Sequence, residues 1–289
     1  MTLDPFKYSP GCPSTKTGVG VSIVVFKPSI DKLSQTLRCL KESFSVLDRA
    51  GFDGKSTLFL VDNSVPPVDR DVVEGLVRTC YFGMNHPKHQ VVVDVLGKNV
   101  GYGVAHNRAI QSHCFKYHLI LNPDVYLHPN TLTAFFEYTE ANNGVVLIGP
   151  KVLSLDGSLQ YLLRRDPTPI DALLRFMAIF LPALSRLRRY RRYECRDVNM
   201  DKVQEGYIMS GCCMWCRTDA LRKVGCFDER FFLYWEDYDL SRKLRHIGRI
   251  VYLPQAQVVH DWNRPMARNP RLMMNNIRSA ITFFRKWGW

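Results

Sequence analysis

The chain has 289 residues, 46% of them hydrophobic, and carries a formal charge of +12. That length suits one large α/β domain, or one domain with a helical appendage. The charge argues for an anionic partner: nucleic acid, an anionic membrane surface or a phosphorylated substrate. The longest apolar stretch, Leu173 to Leu184, is broken by Arg175 and Pro182. It falls short of the roughly 20 apolar residues that cross a bilayer, which excludes an integral membrane protein.

The N-terminus, residues 1–20, is rich in Pro, Gly and Ser and reads as a loose arm without a secretory signal. Nine scattered cysteines, an odd number, favour a reducing cytosol. Residues 21–289 read as a single domain. Val21 to Phe26 is a continuous apolar run, as a strand buried on both faces should be. Pro28-Ser29-Ile30-Asp31 opens a helix with Leu33, Leu37, Leu40, Phe44 and Leu47 on one stripe. Thr57 to Val61 is a second strand, ending in Asp62-Asn63-Ser64, and Val91 to Leu96 a third. Asn99-Val-Gly101-Tyr-Gly103 then opens a helix through Asn107 towards Phe115. His118 to Leu121 is a fourth strand, and Pro129 to Thr139 a helix. This alternation predicts a mostly parallel central sheet with helices on both faces.

The second half is less regular. Val145 to Gly149 reads as a strand and Asp156-Gly157 as a turn. A basic helical insertion occupies about 165–200, and Tyr207 to Cys216 returns to the sheet. Cys213-x-x-Cys216 lies in that strand with no second pair at ligand spacing, so its thiols read as core. Glu236 to Ile247 is a helix, Ile250 to Leu253 and Val258 to His260 are short strands, and a C-terminal helix covers Leu272 to Lys286.

Several segments admit a chemical reading beside a structural one. Asp62-Asn63 after a strand is either a polar turn or a contact for a nucleotide base. Asn99, Gly101 and Asn107 belong either to a tight turn or to backbone passing close to a nucleotide; the third glycine of a dinucleotide fingerprint is replaced by His106. In Asn122-Pro123-Asp124, Pro forces the chain out of the strand and presents Asp124 at the sheet edge. A carboxylate there can hold a divalent cation, Mg2+ or Mn2+. Glu236 and Asp237 suit a helix N-terminus electrostatically. They also follow an aromatic cluster, Phe227 to Trp235, which can flank a sugar and desolvate a base. Either carboxylate is a candidate base, and Trp235 and Glu236 are the candidates for acceptor contact. Arg188, Arg189, Arg191 and Arg192 adjoin the apolar Phe176 to Leu181, either as a solvated basic helix or as an interfacial one on anionic lipid. Because these arginines sit beside aliphatics rather than stacking aromatics, nucleic acid is not the expected partner. A cation for a diphosphate and a base for a hydroxyl together make the minimum kit for moving a sugar off a nucleotide.

Taken in order, these segments resemble glycosyltransferase family 2, the inverting GT-A type, and within it the rhamnosyltransferase-like branch. The carriers are Val21 to Val25, Asp62-Asn63-Ser64, Asn99 to Asn107, Leu121 to Val125, Gly149 to Val152, and the run from Ser210 through Val224 to Leu240 and on to His260. The resemblance implies a GT-A, Rossmann-like fold, with residues 21–125 the nucleotide-binding half and 126–289 the acceptor-binding half. It implies Asp62 near the donor base, Asp124 at the metal position of an Asp-x-Asp motif, His260 assisting metal or diphosphate, and Asp237 as base. Asn122 replaces the motif's first Asp and removes one negative charge. The implied donor is a nucleotide sugar, dTDP-β-L-rhamnose foremost, with galactofuranosyl, glucosyl or N-acetylhexosamine donors as alternatives. The implied acceptor is a lipid-linked glycan of a bacterial surface polysaccharide such as O antigen. It would be reached by a peripheral enzyme on the cytoplasmic face of the inner membrane.

Overall fold

The computed structural model describes residues 16–262 and 269–289. Residues 1–15 of the expected arm lie outside them, but Lys16–Gly20 do not form an arm: strand β1 runs Lys16–Val25. Gly18 and Gly20 read as loop by composition, yet they are strand residues that need the absence of a side chain. A Cβ on Gly20 would overlap the His113 ring.

β1 pairs in parallel with β2 (Lys55–Asp62) and β4 (Phe115–Leu121), and β2 with β3 (His89–Val95). Helices α1 (Ile30–Arg49), α2 (Arg70–Cys80) and α3 (Tyr102–Gln111) connect them. Beyond β4 the sheet becomes mixed. β5 (Val125–Leu127), α4 (Thr131–Ala141) and β6 (Val145–Leu153) are followed by the insertion. The insertion contains α5 (Pro169–Met177), a short turn at Pro182–Arg186, and α6 (Arg188–Tyr193). Next come β7 (Gln204–Glu205), β8 (Cys213–Arg217), α7 (Thr218–Lys223), α8 (Glu236–Arg245), β9 (Arg249–His260) and α9 (Pro270–Trp287). The strand order is β3-β2-β1-β4-β8-β6-β9-β5, with β7 also on β9.

Two expectations change here. The strand expected over Tyr207 to Cys216 is confined to Cys213–Arg217, and it runs antiparallel between β4 and β6. The two short strands expected over Ile250 to His260 are one strand. Its register against β6 jumps from Leu253 to Gln257, so Pro254, which has no N–H to donate, sits in the irregularity.

Side-chain alternation gives the sheet two buried faces. Val21, Ile23 and Trp215 pack under α1, α2 and α4, whereas Ile120, Met214 and Cys216 pack with α3, α7 and α8. Cys213 and Cys216 are buried free thiols, as the core reading required.

A polar chain runs through the α3 side. Ser22 Oγ lies 2.6 Å from His106 Nδ1 and 2.8 Å from His118 Nε2, and His113 Nε2 lies 2.8 Å from His118 Nδ1. Burial drives all three imidazoles down, His106 and His113 to about 3 and His118 well below the usual range. The native state therefore holds them neutral, whereas the unfolded chain protonates them near pH 6.5. Their contribution is present above that pH and is lost as the pH falls towards the folded values. With three protons taken up on unfolding, stability should fall by up to about 4 kcal/mol per pH unit in the middle of that window. Denaturant titrations at pH 7, 6 and 5 check this, and a midpoint that stays level from pH 7 to 5 would contradict it.

Candidate active site

The site lies where β4, the start of β8, the head of α8 and the end of β9 converge. Asn122 donates its backbone N–H to Cys212 O at 2.9 Å, which ties the exit of β4 to the entry of β8. Tyr102, at the head of α3, donates its hydroxyl towards Asn122 Oδ1 (3.0 Å) and Gly211 O (2.7 Å). Gly211 N–H donates to Asp237 Oδ2 at 3.0 Å. Asn122, Tyr102, Gly211 and Asp237 are thus one connected set.

On the other side of Cys212, antiparallel pairing of β5 with β9 sets Val125 opposite His260. Asp124 Oδ1 lies 3.5 Å from His260 Nε2. His260 is only 6% exposed, and among the described residues both of its ring nitrogens lack a hydrogen-bond partner. Burial opposes protonation of this ring, but Asp124 and Cys212 beside it outweigh burial and raise its pKa to about 10. Orphaned buried nitrogens beside a part-exposed carboxylate are what a divalent cation would satisfy by taking the place of the proton that Asp124 otherwise holds on the ring, so the residues fit one. Among the described residues no group of three or more His, Cys, Asp or Glu side chains is placed to hold a metal. Two protein ligands suit an ion that keeps water and takes its remaining ligands from a phosphate, as Mg2+ does.

The head of α8 is set by an unusual turn. Tyr234 and Trp235 both adopt left-handed backbone (φ 69° and 67°) just ahead of Asp237, which meets Gly211. Glu236 is buried with Oε2 unpartnered. Burial first, and the Asp237 charge second, push its carboxyl well above the usual range. Asp237 is also raised by burial, while the Gly211 N–H and the Arg175 guanidinium pull it part of the way back. Arg175 reaches in from α5 and donates to Tyr238 Oη at 2.6 Å. A half-buried carboxylate held by a backbone donor and raised by burial can take a proton near neutral pH.

Other expected contacts are occupied otherwise. Asn63 uses its whole amide as a clasp, donating to Asn99 Oδ1 (2.9 Å) and Gly101 O (3.2 Å) and accepting from Val100 N–H (2.8 Å). Asn99 Oδ1 also accepts from Gly101 N–H. Gly101 is required because its φ is +91° and a Cβ would lie 2.5 Å from Phe232 O. Asn107 makes two 2.9 Å amide bonds to the backbone of Phe227. Asp62, 1% exposed, accepts from Ser64 N–H and Val68 N–H and so closes its own loop. Trp235 turns inward. It is 5% exposed and packs on Tyr238, Phe283 and Phe284. Tyr102, Gly211, Cys212 and Arg175 were not assigned from sequence; the small Ser210-Gly211 pair ahead of an apolar strand was the available cue for two of them.

A sequence profile described as "Glycosyltransferase like family 2" matches residues 21–275. The chain belongs to that family. Its relatives include the N-acetylglucosaminyl-diphospho-decaprenol L-rhamnosyltransferase of Mycobacterium tuberculosis, 30% identical over 186 residues, 60% of each chain. Another is the rhamnosyltransferase WbbL of Escherichia coli K12, 25% identical over 195 residues, 60% of this chain and 66% of that one. The match therefore spans about three fifths of the mycobacterial protein's length. Among solved structures, GalNAc-T7 with UDP, GalNAc and Mn2+ superimposes with TM-score 0.54 at 14% identity over 86% of this chain and 44% of that one. Staphylococcus aureus TarS superimposes with TM-score 0.53 at 16% identity over 93% of this chain and 40% of that one. These two likenesses support the GT-A fold of the family 2 chain.

Proposed function

We propose that this family 2 chain is an inverting glycosyltransferase that moves L-rhamnose from dTDP-β-L-rhamnose to a hydroxyl of a lipid-linked glycan. The observation that carries the reading is the placement of Asp237 and the Asp124–His260 pair on either side of Gly211-Cys212. The rhamnosyltransferase names of its relatives support the donor, and the decaprenol-linked substrate in one of those names supports the acceptor class.

In the proposed step, Asp237 takes the proton of the acceptor hydroxyl as its oxygen attacks the anomeric carbon. The bond to the diphosphate oxygen breaks on the opposite face, and the nucleoside diphosphate leaves with the electron pair. A single displacement needs one base and inverts the β-linked sugar to an α-linked product. A cation at Asp124 and His260 would supply Lewis-acid stabilisation of the leaving diphosphate. Tyr102 positions Gly211, and Gly211 N–H fixes the Asp237 carboxylate.

The test is a panel of nucleotide sugars with Mn2+, read by thermal stabilisation and by release of nucleoside diphosphate with a decaprenyl-diphosphate N-acetylglucosamine acceptor. dTDP-rhamnose should give the largest shift and the fastest acceptor-dependent release. A galactofuranosyl, glucosyl or N-acetylhexosamine donor outperforming it would overturn the donor assignment. No acceptor-dependent release from any donor would overturn the reaction.

A further inference from the structure

Helix α5 is inside out. Its inward side chains are polar: Asp171 is buried against Arg189 of α6 (2.7 Å), and Arg175 reaches Tyr238. Its outward stripe is apolar. Ile170, Leu173 and Met177, at i, i+3 and i+7, are exposed, the first two by 55% and 56%. Phe180, Leu181 and Leu187 extend the patch through the following turn, with Phe180 57% exposed. A helix bathed only in water has the reverse arrangement. Capping does not explain it, since Thr168 and Asp171 form a complete capping box that secures the helix without the stripe.

Helix α9 repeats the outward apolar stripe. Its inward Phe283 and Phe284 pack on the Trp235 and Tyr238 cluster, against which Ala172 of α5 also packs. Outward, Met274, Ile277 and Ile281 again stand at i, i+3 and i+7, and Arg271, Arg278 and Arg285 are exposed at seven-residue intervals beside them. Charge on both segments has one sign. Across residues 167–193 and 269–289 the only carboxylate is Asp171, which is buried and paired. Arg188, Arg191 and Arg192 are exposed on α6. Arg189, expected to join them on lipid, is instead committed to bracing α6 on α5 through Asp171 and Thr168. Among the described residues no helix is long and apolar enough to cross a membrane.

Exposed apolar stripes flanked by exposed arginines match the surface of an anionic bilayer. Acyl chains take up the apolar side chains, and headgroup phosphates neutralise the guanidiniums. We propose that α5 and α9 together form a docking face for an anionic bilayer. The inference goes beyond the transferase reading and does not rest on it, because docking is measured without donor or acceptor.

The experiment is sedimentation of the full chain with vesicles of phosphatidylglycerol and phosphatidylcholine, or of phosphatidylcholine alone, at low and high salt. Binding should require phosphatidylglycerol and weaken with salt, since the Debye length shrinks to about 3 Å at 1 M. Leu173→Glu with Phe180→Glu on α5, and Ile277→Glu on α9, should each weaken binding more than tenfold. All three positions are exposed, so melting temperature should hold, and soluble-acceptor turnover measured in parallel keeps failure of docking distinct from failure of the transferase reading. Wild-type protein that ignores the anionic vesicles at low salt would overturn the proposal. So would α9 variants that bind as wild type, or a duplex oligonucleotide that binds more tightly than the vesicles and is unaffected by Leu173→Glu.

Discussion

Asp237→Asn should reduce transfer by about 10²–10⁴-fold, the usual cost of losing a general base, while leaving donor affinity within a few-fold of wild type. The amide keeps the shape of the carboxylate but cannot accept the acceptor's proton. Both Asp237 oxygens also accept backbone donors, Oδ2 from Gly211 and Oδ1 from Tyr238. An amide can accept only through its oxygen, so a melting curve must accompany the kinetics to separate lost chemistry from a loosened helix head. The pH profile supplies an independent check. Burial raises the Asp237 pKa, and the base works only when ionised. The rate should therefore rise with pH along a limb displaced above the usual carboxylate range, and fall as the pH drops through it. Arg175 favours the ionised form, so Arg175→Gln should move that limb to higher pH. An Asp237→Asn enzyme with more than half of wild-type turnover would rule out Asp237 as base.

Asp124→Ala should abolish the part of nucleotide affinity that depends on a divalent cation. With Asp124 gone, His260 alone would be left to anchor the ion, and its two unpartnered nitrogens would keep no carboxylate beside them. The expected loss is at least the roughly 10–100-fold that removal of an outer-shell partner costs a metal site. Calorimetry of dTDP binding with and without Mn2+ reads it directly. Wild type should bind more tightly with Mn2+, and the variant should show one affinity under both conditions. A variant that retains the wild-type gain from Mn2+ would sink the assignment of Asp124.

The alternation of strands and helices in the first half was readable because each strand there is buried on both faces and so appears as an unbroken apolar run. The extra length of β1 was hidden by Gly18 and Gly20, whose strand role depends on side chains nearly a hundred residues away. Asp124, His260 and Asp237 stood out as polar residues ending apolar runs. That Asp124 and His260 lie together was implied by the resemblance alone, because it follows from the antiparallel register of β5 on β9. The hydrogen bonds of Asn63, Asn99 and Asn107 could not be read from sequence. A short amide after a strand bonds a ligand or a neighbouring loop equally well, and here the loops took it. Trp235 misled because an aromatic cluster does not declare which of its rings face the core. Arg175 lay in a segment whose arginines suggested only a surface role, and the tertiary fold alone turns it inward.

The left-handed pair Tyr234–Trp235 ties catalytic geometry to the timetable of synthesis. Each non-glycine residue in that conformation costs roughly 1–2 kcal/mol and persists only when its surroundings over-determine it. Those surroundings are supplied by α9. Ser279 Oγ donates to Leu233 O at 2.9 Å, and Phe283 and Phe284 wall in Trp235. Lys286 pairs with Asp228 and Asp239 at 2.7 Å each, and Trp287 Nε1 donates to Asp239 at 2.7 Å. As the chain leaves the ribosome, at roughly 5–20 residues per second, every strand of the sheet has been made once His260 is out. The head of α8 still lacks its clasp at that moment. The head of α8 therefore depends on a segment that is made after every strand of the sheet.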